Sequence, residues 1–201
     1  MANEKNITKI YEAILNRINK VCEKSEIVTI IKEYNKKFNS EVDIERAIKY
    51  LSRHDYIKRI FLSFYYINSL DERKRGYCRY EDKELLFLVL NKINLKWYLG
   101  LSSALYESGK SWQIPIVISI INNRFSGKRK IMNLKVRFYK VKEKLITGTK
   151  KCITKNKAEY SYSTLAKTYI DLVYFRISDK LIREKDTEKY LKYFPKWVEK
   201  R

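Results

Sequence analysis

Glycine and proline are scarce in this 201-residue sequence, which contains five glycines and two prolines. A composition this poor in both residues excludes a flexible low-complexity chain. Hydrophobic residues make up 45% of the sequence, which is enough to build a folded core. The length suits one large domain or two smaller domains.

Cysteine and histidine are also rare, and their positions exclude the usual metal-site motifs. The cysteines Cys22, Cys78 and Cys152 lie far apart, and His54 is the single histidine. No CxxC or HxxxH spacing occurs, so the sequence predicts no metal site and no cofactor. Three reduced thiols in a reducing compartment are the simplest interpretation.

Long apolar runs are missing. The longest run, Leu85–Leu90, is far shorter than the roughly 20 residues that a membrane-spanning helix requires. The first residues also lack the apolar core of a signal peptide. We therefore expect a cytoplasmic protein without a membrane partner.

Basic residues, in contrast, are abundant. The chain has 44 Lys and Arg against 23 Asp and Glu, and its formal net charge is +21. A charge this large indicates a polyanionic partner. Nucleic acid is the first interpretation, and an anionic membrane surface is the second.

The positive charge is concentrated in the second half of the chain. Residues 1–70 carry 13 basic and 9 acidic residues, whereas residues 124–157 carry 13 basic residues and one acid. Lysines that protect an edge strand from aggregation are one interpretation of this block. We favour a phosphate-binding surface, which gives salt-dependent affinity without sequence specificity. The residues assigned to this secondary phosphate-binding surface are Lys128, Arg129, Lys130, Lys135 and Arg137.

The first 70 residues have the pattern of a winged helix-turn-helix. Apolar residues at three- and four-residue spacing predict helices over 6–23 and 28–37, the second capped by Ser25 or Thr29. A third helix is predicted to open at Ser40, because Asp43 three residues later completes a capping-box pattern. The β-branched and aromatic segments 56–60 and 65–67 then predict a short hairpin, the wing.

The remaining residues predict a charged linker over 71–83 and a mixed α/β domain over 84–201, which gives an overall α+β class. Apolar spacing favours helices at Glu84–Ile93, Leu99–Ser108 and Thr164–Phe175, with a helical tail at Asp186–Val198. The β-branched run Ile114–Ile121 predicts a buried strand. Alternation over 132–142 predicts a second strand, in which the slip between Phe138 and Val141 is either a bulge or the strand end.

The third helix of the first domain offers basic residues on one face, because Arg46, Lys49 and Arg53 are three and four residues apart. Arginine suits the edge of guanine, and lysine suits a base or a phosphate. The acids within 41–45 would repel the phosphates of DNA. A winged helix that binds protein is the alternative to a winged helix that binds DNA. The predicted DNA-binding residues are Lys36, Lys37, Asn39, Ser40, Arg46, Lys49, Arg53, Lys58 and Arg59.

Three segments resemble one known family: Ala47–Ile60, Tyr98–Tyr106 and Ser163–Asp171. They are similar to the recognition helix and wing, to the opening of the second domain, and to a later helix of the AbiEi antitoxin family of transcriptional regulators. Together they span most of the chain. The sequence departs from the family at the wing tip, where Phe64-Tyr65-Tyr66 stands in place of the usual glycine.

The resemblance implies a repressor that binds double-stranded DNA, with inverted repeats expected in the promoter of its own toxin–antitoxin operon. It also implies a functional link to a nucleotidyltransferase-like toxin, without a stable complex between the two proteins. The DNA-binding role is transferred only to the third helix and the hairpin.

Two other classes of function remain as alternatives. A metal-dependent nuclease needs gathered carboxylates, but the basic block offers only Glu143, with Glu159 and Asp171 further along the chain. No phosphate-binding loop or nucleophile-elbow motif occurs, so we expect no catalytic residues and no enzyme. The 17 tyrosines suggest a binder of RNA or single strands, but most of them lie at core spacing.

Overall fold

The computed structural model describes residues 4–18, 20–177, 192 and 194–198. These residues form seven α-helices and two β-sheets, so the predicted α+β class is confirmed. The chain divides into two compact units, Met1–Val89 and Leu90–Arg201. Each unit contains a hydrophobic cluster of its own.

The first unit contains a three-stranded antiparallel sheet with the strand order β1-β3-β2. The central strand is buried at all four positions, which explains its unbroken run of apolar residues. In chain order the elements are α1 (Glu4–Arg17), β1 (Val21–Glu23), α2 (Lys24–Phe38), α3 (Ile44–Arg53), β2 (Ile57–Arg59), β3 (Phe64–Ile67), α4 (Leu70–Arg75) and α5 (Asp82–Lys92).

The core of the first unit follows the predicted helical spacing. Ile7, Ile10 and Ile14 of α1 are completely buried and pack in one cluster with the apolar faces of α2 and α3. Burying one such side chain contributes about 1.5–3 kcal/mol, so this stripe is a main source of the stability of the unit.

The first helix is shorter than its sequence pattern indicates. Its predicted range, 6–23, includes β1, which pairs with β3 through Val21 and Tyr66. Lys20 takes a positive φ of 52° before the strand, and such a residue ends regular helix. Neither Ser25 nor Thr29 caps α2. Its N-cap is Glu23, whose backbone N–H donates to the carboxylate of Glu26 over 2.9 Å.

Residues 71–83 were expected to form a linker, but they belong to the first unit. Glu72 of α4 is buried and accepts a 2.5 Å hydrogen bond from the Tyr66 hydroxyl. The backbone N–H groups of Ser69 and Arg79 also donate to this carboxylate, each over 2.8 Å. Burial raises the pKa of Glu72, but these hydrogen bonds outweigh it and leave the pKa below its ordinary value. Sequence polarity alone did not reveal this buried carboxylate.

The second unit contains a six-stranded mixed sheet with the strand order β6-β7-β5-β4-β9-β8. The pairs β5–β7 and β4–β9 are parallel, and the other neighbours are antiparallel. Its elements are β4 (Trp97–Leu99), α6 (Leu101–Glu107), β5 (Val117–Asn122), β6 (Gly127–Ile131), β7 (Leu134–Lys140), a 3-10 helix (Glu143–Leu145), β8 (Thr149–Ile153), β9 (Glu159–Ser163), α7 (Leu165–Tyr174) and a 3-10 helix (Lys196–Val198).

The helices and strands predicted for this unit are present in the structure, but their ends are shifted. The slip in the alternation between Phe138 and Val141 marks the end of β7, which stops at Lys140. Val141 lies just after the strand, and its N–H donates to the Asn122 carbonyl. The expected helix 99–108 is preceded by β4, and Gly100 separates the two elements. A Cβ on Gly100 would lie 2.4 Å from the Ile121 side chain, which would have to move to accommodate it. Most of the predicted tail helix, 186–198, lies outside the described residues.

A buried polar network joins β4 to α7. The Tyr98 hydroxyl donates to Asp171 over 2.8 Å and accepts from the Lys167 ammonium over 2.7 Å. Lys167 and Asp171 also form an ion pair, and all three side chains are almost completely buried. Burial raises the pKa of Tyr98, lowers the pKa of Lys167 and raises the pKa of Asp171, while the ion pair opposes the last two shifts.

Candidate nucleic-acid interface

A hydrogen-bonded turn positions α3. Asn39 closes α2 in the left-handed conformation, with φ 44°. The Asn35 side chain holds Val42 by two hydrogen bonds, donating to its carbonyl over 2.9 Å and accepting from its N–H over 3.2 Å. The N-cap of α3 is Asp43, which accepts from the Arg46 N–H over 2.7 Å. The predicted opening at Ser40 was therefore wrong by three residues.

The outer face of α3 carries the three predicted basic residues. Ala47, Ile48 and Leu51 are buried, whereas Arg46, Lys49 and Arg53 are exposed. None of these three cations forms an ion pair with a residue that the structure describes. Helical spacing brings them together on one solvent-facing surface, where they are available to an anionic ligand.

Two of the acids near the start of α3 are engaged by the protein itself. Asp43 caps the helix, and Glu45 forms a 2.7 Å ion pair with Lys24. The hydrogen bond to Glu45 raises the pKa of Lys24. Since Glu45 is largely exposed and Lys24 is partly exposed, the pair contributes little to stability, but it reduces the repulsion that Glu45 presents to a phosphate.

The turn before α3 adds a basic cluster around an exposed aromatic ring. Lys36 and Lys37, in the last turn of α2, are exposed. Phe38, the last residue of α2, is 52% exposed. The ammonium groups of Lys37 and Lys9 lie 5.3 and 5.9 Å from its ring centroid. No local pattern indicates Lys9, because it comes from α1.

The β2–β3 hairpin is short and offers one exposed basic side chain, Arg59. The Arg59 Nε donates to the Leu62 carbonyl over 3.0 Å, and Leu62 takes a positive φ of 53° at the tip. The segment expected at the tip, 64–66, instead lies within β3 and is buried. Lys58 is half-buried and forms a 2.7 Å ion pair with Asp82, so its predicted DNA contact would require this pair to open.

In the second unit, the sheet register arranges four of the five predicted cations on one face. Lys128 pairs with Arg137, and Lys130 pairs with Lys135. Paired residues share a face, and alternate residues of a strand return to it. We call these four side chains the basic face. Arg129 lies on the opposite face, 5.8 Å from the Phe125 ring.

The arrangement of the basic face is unfavourable for the free protein. Like charges placed directly opposite on neighbouring strands destabilise a sheet. Edge protection explains lysines on β6, which is the edge strand. It does not explain Lys135 and Arg137, because β7 is an interior strand. An anionic ligand that screens the four charges accounts for both strands.

The acids considered for a nuclease are not brought together. Glu143 forms an ion pair with Lys96, Glu159 is exposed, and Asp171 is buried with Lys167. Within the described residues, no three His, Cys, Asp or Glu side chains form a group that would hold a metal ion. The candidate sites among the described residues are therefore the cationic surfaces of α3 and of the basic face.

No protein-family model matches this sequence, and no curated protein matches it either. In the part of the chain that the structure describes, every helix is too short or too polar to cross a bilayer. The resemblance to the AbiEi family thus rests on the three sequence segments, and the geometry of the two basic surfaces is the basis for a functional proposal.

Proposed function

We propose that the protein is a sequence-specific double-stranded DNA-binding repressor whose first unit is a winged helix-turn-helix. The observation that carries this proposal is the cationic face of α3, which is exposed, forms no ion pair with a described residue and follows a hydrogen-bonded, capped turn. The B-DNA major groove is about 12 Å wide and admits a helix. The order of α1, α2, α3 and the hairpin supports the same interpretation.

The side chains of the first unit divide into two roles. Arg46, Lys49 and Arg53 read base edges or the adjacent phosphates from α3. Lys36 and Lys37 in the last turn of α2 hold the DNA backbone together with Asn39, which caps α2, and with Arg59 on the flanking hairpin. Ser40 is half-buried and its hydroxyl lies 3.5 Å from the Asn6 side chain, which makes it a weaker candidate for a phosphate contact.

The basic face of the second unit adds attraction without sequence preference. The first unit, residues 1–89, has 18 basic and 14 acidic residues and a net charge of +4, whereas the second unit, residues 90–201, has 26 basic and 9 acidic residues and a net charge of +17. Phosphate contacts dominate the affinity of proteins for DNA, whereas base contacts determine the sequence. The first unit therefore selects the site, and the second supplies most of the electrostatic attraction.

The AbiEi resemblance extends the proposal to an antitoxin that represses its own operon through inverted repeats. The toxin in such an operon is nucleotidyltransferase-like, and the antitoxin counters it without a stable complex. Co-expression tests this part: the chain should restore growth to cells that produce the toxin of the adjacent gene, and co-purification should recover no complex. A stable complex, or failure to restore growth, contradicts the antitoxin role.

Footprinting tests the repressor role. The full chain should protect a discrete site in the DNA upstream of its own gene, at a salt concentration where a shuffled duplex shows no protection. Protection of both duplexes to the same extent would contradict sequence-specific repression. Uniform protection that disappears with added salt would leave only the non-specific attraction of the second unit.

A further inference from the structure

A cleft of about 460 Å³ lies beside the basic face of the second unit. Its floor contains Ser119, Arg137 and Tyr139, which the strand register places on the same face as Lys128. Its wall comes from the segment 111–116, which connects α6 to β5 and in which every residue except Trp112 lines the cleft. The volume is within the range of about 300–1,000 Å³ that is usual for ligand sites.

The wall of the cleft is unusually apolar for a surface segment. Trp112 is 94% exposed, and Ile114 and Ile116 are 70% and 76% exposed. Trp97, in contrast, is almost buried. Trp112 lies between two residues that line the cleft, Ser111 and Gln113, and its own ring is exposed to solvent beside them. Large apolar side chains exposed side by side mark a binding surface.

The two charged residues that line the cleft, Lys128 and Arg137, are both basic. From Ser108 to Lys142 the sequence contains nine basic residues and no acid. Lys128 and Arg137 form no ion pair with any described residue, and the Arg137 guanidinium lies 4.9 Å from the Tyr139 ring. A ligand that satisfies both parts of the cleft must combine negative charge with a flat or apolar group.

We propose that this cleft binds single-stranded nucleic acid. An unpaired base stacks against Trp112 and the apolar wall, while Lys128 and Arg137 hold the flanking phosphates. Proteins that bind single strands combine a cationic groove with aromatic platforms in this way. The inference deepens the nucleic-acid role proposed for the basic face, on which it rests, but it does not depend on α3.

The geometry favours a single strand over a duplex or a membrane. The base faces of a duplex are stacked on each other and are unavailable to Trp112. A membrane-binding segment of this kind is typically an amphipathic helix lying in the interface, whereas residues 111–116 contain no helix and back onto a concave cleft. A bilayer surface would leave that cleft unfilled.

Fluorescence anisotropy with the full chain tests the inference. The probes are fluorescein-labelled twelve-nucleotide oligo(U) and oligo(dT), a mixed-sequence duplex of the same length, and vesicles of phosphatidylcholine with phosphatidylserine. Trp112→Ala should weaken binding of one or both oligonucleotides roughly 5- to 150-fold, which corresponds to the loss of stacking on one base. Trp112→Phe should retain most of the affinity, and duplex binding by Trp112→Ala should be unchanged.

A charge variant separates the cleft from general electrostatics. Arg137→Gln should lower the salt slope for oligonucleotide binding by about 0.7, the value for one single-strand phosphate. The matched control is Lys150→Gln. Lys150 is exposed on β8, at the far edge of the sheet, and the register places it on the opposite face. This control should leave the slope unchanged.

Two outcomes would overturn the inference. One is unchanged oligonucleotide affinity in Trp112→Ala while circular dichroism shows a folded protein. The other is Trp112-dependent binding to vesicles without binding to oligonucleotides. Loss of operator preference in the wild type would contradict the repressor proposal but not this one, because the oligonucleotide measurements involve no operator.

Discussion

Neutralising the basic face should flatten the salt dependence of DNA binding. The variant replaces its four members, Lys128, Lys130, Lys135 and Arg137, with glutamine. Each contact between a cation and a B-DNA phosphate contributes about 0.9 to the slope of log K against log salt. If all four cations meet phosphates, the slope falls in magnitude by about 3.6. Raising the salt from 50 to 200 mM weakens the binding of both proteins, and the factor of weakening should be roughly 150 times larger for the wild type than for the variant.

Isothermal titrations at several salt concentrations measure this slope with a promoter duplex and a shuffled duplex. The two duplexes should lose affinity to the same extent, because the basic face reads no sequence. The control replaces Lys144, Lys150, Lys155 and Lys157, which are exposed cations outside the basic face, and so removes the same net charge. Equal slopes for the two variants would refute the reasoning, because net charge alone would then explain the effect.

Three further predictions concern the structures that position the two surfaces. Lys167→Met leaves Asp171 buried without its ion-pair partner and should lower the free energy of unfolding, measured in urea, by roughly 3–5 kcal/mol. A triple variant that also replaces Tyr98 with Phe and Asp171 with Leu should recover most of this loss. The depressed pKa of Glu72 means that its stabilisation is complete above its ordinary value of 4.5 and is lost as pH falls through the folded pKa. Glu72→Gln should therefore flatten this acid limb of the stability profile. Asp43→Ala removes the cap of α3, should cost about 1 kcal/mol of stability, and should weaken promoter binding.

The parts of the fold that follow from local pattern were predictable from the sequence. The apolar spacing of Ile7, Ile10 and Ile14 predicts the buried stripe of α1, since a helix repeats every 3.6 residues. The same spacing correctly leaves Arg46, Lys49 and Arg53 outside on α3. The ends of the helices were less predictable, because Asp43 and Ser40 are equally good caps by composition and the hydrogen bonds of Asn35 decide between them.

The parts that depend on distant partners were not predictable. The strands β1, β4, β6, β8 and β9 were not foreseen, because three to five residues carry little periodicity and their pairing partners lie elsewhere in the chain. The ion pair of Lys58 with Asp82 and the burial of Glu72 have the same origin. The pairing of Lys128 with Arg137, which brings the cations of the basic face together, requires the register of the sheet.

The central claim is that α3 reads a DNA sequence, and the ratio of affinities for the promoter duplex and a shuffled duplex tests it directly. The wild type should prefer the promoter at about 150 mM salt, and Arg46→Ala should reduce that preference by roughly 1–3 kcal/mol. Lys32→Ala, an exposed lysine of α2 outside the predicted contacts, should lower neither the preference nor the stability. A wild-type protein without preference, or an Arg46→Ala variant that keeps the full preference, would contradict the account.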